Sequence, residues 1–257
     1  MRNQRPIEIR LTVSTKRNEA ESDHARHVRE MFAGIAGRYD LLNHLLSVNT
    51  DRRWRRLVAK KLQPVLATKD AQVLDVACGT GDLAIELAAA DSTQARIIGT
   101  DFCRPMLDIA ARKAAMEKGS IPFIEADALA LPFADESFEA VSIAFGLRNL
   151  SNVQDGLREL RRVLKPGGQA AILEFSRPIV PGFRALFQLY FTRVLPFVGG
   201  LVSGSRGAYE YLPDSVSRFP DQQRLTAMMS EVGFEKVEYK NLTGGIAALH
   251  TGLRTRP

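Results

Sequence analysis

Hydrophobic and polar positions along the chain fall into two regimes. From residue 22 to residue 62 apolar side chains recur at helical spacing, at Val28, Met31, Phe32 and Ile35 and again at Leu41, Leu42, Leu45 and Leu46, which predicts helices with one apolar face. After Ala71 short apolar runs alternate with amphipathic stretches. "AQVLDVA", "ARIIGTD", "IPFIEAD", "FEAVSIAFG" and "QAAILEFS" read as five strands. Between them "TGDLAIELAAA", "CRPMLDIAARKAAMEK" and "VQDGLRELRRVLKPGG" read as helices, with Pro105 in a first turn and Pro166-Gly167 as a stop. Strands alternating with helices imply right-handed crossovers and a parallel sheet covered on both faces.

Beyond residue 176 come an apolar helical segment, a polar stretch "YEYLPDSVSRFPDQ" and a helix "DQQRLTAMMSEVG". The last two strands, "EKVEYKNL" and "GIAALHTGL", are joined through Gly244-Gly245, which suits an antiparallel hairpin at the sheet edge. The expected fold is therefore α/β: a doubly wound, mostly parallel sheet with an antiparallel edge strand and an N-terminal helical cap.

Composition and charge narrow the setting. The 257 residues are 45% hydrophobic and 25% charged, ordinary values for a soluble globular chain able to bury a sizeable core. Cys78 and Cys103 offer neither a disulfide framework nor metal-ligand spacing, so a reducing cytoplasm and no metal are expected. No apolar segment in the first twenty residues resembles a secretory signal. The most apolar run, 183–202, is broken by Arg184, Arg193, Pro196 and Gly199-Gly200, whereas a membrane span needs about 18 nearly charge-free residues. Residues 1–60 hold 13 Lys/Arg against 7 Asp/Glu, and the remainder 22 against 22, so the whole net charge of +6 lies in the N-terminal segment. Nucleic acid, an anionic membrane surface or plain solvation all suit such a segment.

"VLDVACGTGDLA" follows a strand and opens a helix, which turns backbone amides toward a ligand at the strand ends. The spacing Gly79-x-Gly81-x-x-Ala84 meets the dinucleotide fingerprint, a weak signal alone. Asp101 ends the second strand, 20 residues past Gly81, where a carboxylate accepts both hydroxyls of a ribose in charge-assisted bonds of roughly 1.5–3 kcal/mol each. NAD and S-adenosylmethionine both remain open at this point. Two features favour the second. Asp75 lies inside the first strand, where it can bond the loop's amides and approach a cationic ligand. Asp127-Ala128 ends the third strand, offering an acceptor for an adenine amino group and a small side chain beside the ring.

"VLDVACGTGD", "GTDFCRPML", "ADALALPFADESFEAV" and "ELRRVLKPGGQAAILEFS" resemble, in order and spacing, the motifs of class I S-adenosylmethionine-dependent methyltransferases. More narrowly, "MFAGIAGRYDLLNHLLSVNTDRRWRR", "FGLRNL", "YEYLPDSVSRFPDQ" and "NLTGGIAALHTGL" resemble the ubiquinone/menaquinone biosynthesis C-methyltransferases, over residues 30 to 254. The resemblance implies methylation of a ring carbon in a polyprenylated quinol, either demethylmenaquinol or a methoxy-benzoquinol. It implies cofactor contacts at Thr80, Asp101, Asp127 and Ala128. At Ala144 relatives can carry a serine, so only backbone contact is left here. Tyr39 would belong to a helical cap closing over the cofactor. The implied layout is a polar arm at 1–20, then one domain: cap 21–65, cofactor-binding core 70–176, substrate or lid insertion 177–220, and a C-terminal helix and strand pair at 221–257.

A quinol ring carbon becomes nucleophilic when an adjacent hydroxyl loses its proton, and it then displaces an activated methyl in line. Positioning supplies roughly 7–11 kcal/mol of such a barrier; the protein must also stabilise the phenolate and take up a proton through water. Arg148 and Asn149 follow the fourth strand at the expected substrate crevice. Arg148 is the candidate for phenolate stabilisation or for orienting a water, and Asn149 for bonding a quinol oxygen. The competing structural readings are a carboxylate partner for Arg148 and a helix-capping role for Asn149. Glu174 suits substrate contact or a salt bridge. Asp82 is expected to cap its helix. His24, His27 and His44 read as surface or packing residues, His250 as hydrogen-bonded structure, and Cys78 as no nucleophile. With a polyprenyl substrate, 183–202 becomes the candidate tail groove, each buried CH₂ contributing about 0.8 kcal/mol.

Rival functions are a nicotinamide oxidoreductase, a nucleic-acid methyltransferase and a non-catalytic binding protein. Amino-methylating enzymes commonly carry an Asn/Asp-Pro-Pro-aromatic motif where this chain has Phe145-Gly146-Leu147-Arg148-Asn149, which disfavours a nucleic-acid partner. Candidate macromolecular partners are an anionic membrane surface, at the inner face of which the chain would attach peripherally, and a second copy in a homodimer.

Overall fold

The computed structural model describes residues 23–40, 47, 49–91, 95–117, 121–180 and 206–255. The expected arm at 1–20, the apolar positions at 41–46, His44 and the candidate tail groove at 183–202 lie outside them. Helix α1 (Asp23–Ile35) runs into a single 3₁₀ turn, Ala36–Arg38, and α2 spans Thr50–Leu66. There follow β1 (Gln72–Val76), α3 (Asp82–Ala90), β2 (Arg96–Asp101), α4 (Arg104–Met116), β3 (Phe123–Glu125) and β4 (Phe138–Ala144). Next come α5 (Val153–Val163), β5 (Leu164–Phe175), α6 (Arg206–Arg218), α7 (Gln222–Glu231), β6 (Phe234–Leu242) and β7 (Ala247–Arg254).

The seven strands form one sheet in the order β3-β2-β1-β4-β5-β7-β6. β1 to β5 pair in parallel, and β7 is antiparallel to both of its neighbours. The hairpin expected at the edge is present, with its inner strand, β7, as the antiparallel member. Turning through Thr243–Gly245 reverses the chain, so β7 folds back against β5 and leaves β6 outermost. Strand order changes direction between β1 and β4, which opens a crevice at their carboxyl ends, the usual ligand position in such sheets.

The two-residue period of the strands separates two cores. Leu74, Val141 and Ile172 face Leu157, Leu160, Leu225 and Met229 of α5 and α7. Their sequence neighbours Val73, Ala140, Ala171 and Leu173 face Val58, Leu62, Leu83 and Leu87 of α2 and α3. Helix α2 thus packs on the sheet as a layer of the fold. By contrast, α1 and its turn form a small separate cluster with α4, in which Phe32, Ala36 and Tyr39 meet Cys103 and Met106.

Two boundaries differ from the sequence reading. Helix α5 ends at Val163, three residues before Pro166, where Leu164 is already extended (ψ 141) and enters β5. The polar stretch "YEYLPDSVSR" lies within α6, a helix that carries Pro213 in its interior.

Candidate active site

Three alternate residues of the loop after β1 are left-handed: Ala77 (φ 50), Gly79 (φ 54) and Gly81 (φ 81). At Gly81 both conformation and space exclude a side chain, since a Cβ would stand 2.9 Å from the Ala110 Cβ of α4. The loop is tied to β2 twice. Cys78 N donates to Thr100 O at 2.9 Å, and Gly79 N donates to Asp101 Oδ2 at 2.8 Å. The other Asp101 oxygen accepts from Cys103 N at 2.9 Å. Asp101 therefore sits enclosed at the C-terminal end of β2, and burial pushes its carboxyl up to about 6 against the pull of these amides.

Asp75 is 1% exposed and accepts from Ser142 Oγ at 2.8 Å. Its second oxygen is buried without a hydrogen-bond partner. Burial raises its carboxyl to about 7, opposed by Ser142 and the Ala84 amide. Thr80 is buried in the loop, its hydroxyl donating to Asp40 Oδ1 at 2.5 Å. Tyr39 packs edge-on against Phe32, ring centres 5.8 Å apart, and its Cε1 lies 3.9 Å from where a Gly79 Cβ would stand. Asp127 and Ala128 lie in the loop beyond β3, which stops at Glu125. Asp127 is exposed, its Oδ1 accepting from Leu129 N at 2.8 Å, and Ala128 is buried. Ala126 N bonds Asp101 O at 2.9 Å, which holds that loop beside the end of β2. Asp75, Gly79, Thr80, Gly81, Asp101 and the Asp127-Ala128 pair are thus collected at adjoining strand ends, with the Tyr39 ring against Gly79.

Ala144 is the last residue of β4. Phe145 turns left-handed (φ 57), and Leu147–Asn149 form a 3₁₀ turn. A Cβ on Gly146 would stand 2.6 Å from the Ala77 Cβ, so this turn abuts the glycine loop directly. Arg148 is 6% exposed in its side chain and pairs with Glu174, 1% exposed, at 2.8 Å. The same Nη1 donates to Phe145 O, the Arg148 amide donates to Glu174 Oε2 at 3.3 Å, and Nε is buried without a partner. The guanidinium lies 5.3 Å from the ring centre of Phe175, which packs with Phe145 at 4.8 Å.

The carboxylate partner considered for Arg148 is thus present, and Glu174 makes the salt bridge considered for it. The cap considered for Asn149 belongs instead to Asn152, whose Oδ1 accepts from Gln154 N and Asp155 N. Asn149 Nδ2 donates to Phe145 O at 3.3 Å, and its Oδ1 accepts from Tyr211 OH at 3.1 Å. Tyr211, on α6, escaped sequence reasoning; its burial and the nearby Glu174 raise its phenol, opposed by Arg148. The only prior signal was its place in "YEYLP".

Remaining candidates resolve simply. Asp82 does not cap α3, whose N-cap is Gly81; it bonds Arg55 at 2.9 Å and also Lys113. His27 is exposed. His250 is buried with Nε2 against Gln222 O at 2.9 Å, and burial lowers its pKa. Burial holds the Cys78 thiol well above its ordinary value, against any role as a nucleophile. Among the described residues no group of His, Cys, Asp and Glu forms a metal site, and no helix is long and apolar enough to cross a membrane.

The model of the ubiE/COQ5 methyltransferase family matches residues 17–254. Demethylmenaquinone methyltransferase of Deinococcus radiodurans is 50% identical over 232 residues, covering 90% of this chain and 94% of the relative. The ubiquinone/menaquinone biosynthesis C-methyltransferase UbiE of Geotalea uraniireducens is 44% identical over 233 residues, covering 90% and 97%. Among solved structures, a SAM-dependent methyltransferase from Aquifex aeolicus matches with a TM-score of 0.55 at 17% identity, over 76% of this chain and 88% of that one.

Proposed function

Since the chain belongs to the ubiE/COQ5 methyltransferase family, we propose that its crevice joins S-adenosylmethionine to a polyprenylated quinol and methylates the quinol ring. The residues present fit that cofactor. The left-handed glycine loop leaves backbone free to approach a ligand, and buried Asp101 and Asp75 offer carboxylates to a ribose and to a cationic centre. When bound, S-adenosylmethionine supplies an electrophilic methyl group. Asp101 would hold the ribose, Asp127 and Ala128 the adenine, Thr80 and the loop backbone the remainder, with Tyr39 covering them.

The observation that carries the reading is the contact of Gly146 with Ala77, which sets the Arg148–Asn149 turn against the glycine loop. An oxygen of a quinol lying on that turn meets a cation fixed by Glu174. Arg148 Nε, without a protein partner, is the donor available to a developing phenolate or to the water that takes its proton. Asn149, oriented by Tyr211, bonds a second oxygen. A fixed donor of this kind costs no reorganisation when charge develops. The relative at 50% identity bears the name demethylmenaquinone methyltransferase, which favours a naphthoquinol over a benzoquinol.

The basic N-terminal segment, and the exposed Ile179 and Val180 that lead into the apolar run at 183–202, support peripheral attachment to anionic lipid, where such a quinol resides. One experiment tests both points: reduced demethylmenaquinone and a methoxy-benzoquinol are offered in anionic vesicles with S-adenosylmethionine, and products are weighed by mass spectrometry. A gain of one methyl in place of a ring hydrogen on the naphthoquinol is the expected result, with a yield that falls as salt is raised when the quinol is in anionic vesicles and holds when the same quinol is offered in neutral detergent. No mass gain on either quinol would refute the function.

A further inference from the structure

We infer that Lys113 is a positioning residue for the cofactor, a single cation that holds the Tyr39-Asp40 segment down on the glycine loop. This rests on the reading of that loop as the S-adenosylmethionine site. Lys113, on α4, stands 2.8 Å from Asp40 Oδ2 and 3.4 Å from Thr80 Oγ1, and it also bonds Asp82 Oδ1. Thr80 in turn donates to Asp40 Oδ1. Both oxygens of Asp40 are therefore engaged by the cofactor side of the molecule, one by the loop and one by α4. Asp40 immediately follows Tyr39, whose ring lies against Gly79.

Asp82 does not move with this segment. Its second oxygen is held at 2.9 Å by Arg55, 10% exposed, which also bonds the buried Asp51. Lys113 thus joins one anchored carboxylate to one carried by the segment over the loop. Two carboxylates sharing one ammonium attract it and repel each other. Without the ammonium the Asp40–Asp82 pair becomes a like-charge contact, destabilising in itself, and Asp40 is pushed away from Thr80 with Tyr39 behind it. Lys113 therefore governs how long a cofactor stays under Tyr39, although it is not placed to touch the reacting atoms.

The sharing makes a prediction that simple loss of packing does not. Lys113→Met should weaken S-adenosylmethionine binding about tenfold, the scale of one lost charge-assisted bond, almost wholly through faster dissociation. Asp40→Asn removes attraction and repulsion together and should weaken binding only about threefold. The double variant should bind better than Lys113→Met, and Lys113→Arg should stay close to the parent. Affinity is read by calorimetry and dissociation by chase of labelled cofactor, with circular dichroism as the check of folding. A double variant weaker than Lys113→Met, or Lys113→Met with the parent's affinity, overturns the inference. Should Lys113→Met not fold, Asp40→Asn decides: threefold faster dissociation supports the inference, and an unchanged rate overturns it. A parent chain that binds no S-adenosylmethionine would instead undo the proposed function.

Discussion

The two sides of the crevice are built by opposite means. The side proposed for the cofactor is shaped by backbone: left-handed residues at 77, 79 and 81, and amides that fold back onto Asp101. The side proposed for the substrate is shaped by side chains brought from far apart, with Arg148 meeting Glu174 across 26 residues and Asn149 meeting Tyr211 across 62. A backbone site tolerates change in the residues around it but not in its own conformation. A side-chain wall depends on each partner, and here on an ion pair withdrawn from water. Damage to the wall should therefore stop chemistry while cofactor binding persists, and damage to the loop should do the reverse.

The largest separation is expected from Arg148→Ala. Turnover should fall by roughly 10²–10³, as on losing a preorganised donor to a developing oxyanion, with affinity for S-adenosylmethionine changed less than about threefold. Because Glu174 then stays buried without its cation, held only by the amides of residues 148 and 175, the fold should also lose about 3–5 kcal/mol. Arg148→Lys, which keeps the charge and loses the planar fork, should retain more stability and only partial turnover. Single-turnover rates beside calorimetric affinities decide the matter. Turnover equal to the parent's, or affinity lost in step with turnover, would end the division of labour.

A smaller effect, felt on both sides, is expected at their point of contact. Gly146 takes an ordinary φ of −106, so its need for glycine is purely spatial. Gly146→Ala drives a methyl group into Ala77, at 2.6 Å, and into Ile143, at 3.2 Å. Overpacking of this kind costs about 1–3 kcal/mol. Since the shift must be taken up by the glycine loop and the Arg148 turn together, affinity and turnover should fall jointly by about tenfold. A variant that loses only one of them shows that the two walls move independently.

How much of this was legible beforehand follows from the same contrast. "VLDVACGTGD" and Asp101 mark the proposed cofactor side, because a strand, a glycine loop and an acidic strand end lie within thirty residues and local geometry brings them together. The alternation of Val73 with Leu74, or Ala140 with Val141, likewise discloses a sheet covered on both faces. For the wall, "FGLRN" marked the position but not the partners: nothing near Arg148 in the sequence indicates that Glu174 neutralises it. Asp82 was misread for a similar reason. Its place in the first turn suggested a cap, and the competing cations Arg55 and Lys113 come from 27 residues before it and 31 after. Strand direction at the edge was visible in the Gly244-Gly245 turn, whereas the inner position of β7 depends on its pairing with β5.

The smallest effect tests the electrostatics of the cofactor side alone. Asp101 accepts from two amides, yet burial outweighs them and sets its carboxyl near 6, above the ordinary carboxylate range. A folded-state value raised in this way means that the folded chain holds a proton that the unfolded chain releases. Its contribution to stability is therefore full below about pH 4 and is lost as pH rises through 6. Ribose hydroxyls donate, and so favour the ionised carboxylate and pull that value down. Affinity for S-adenosylmethionine should accordingly fall as pH drops below 6, by at most about tenfold per unit, and level off above 7. In Asp101→Asn the slope below pH 6 should vanish while weaker binding remains, and turnover at saturating cofactor should follow the Arg148 side unchanged. Calorimetric titration between pH 5 and 8 reads both curves. The same slope in parent and variant would remove Asp101 as the ribose acceptor and transfer the dependence to Asp75, the one other buried carboxylate facing the loop among the described residues.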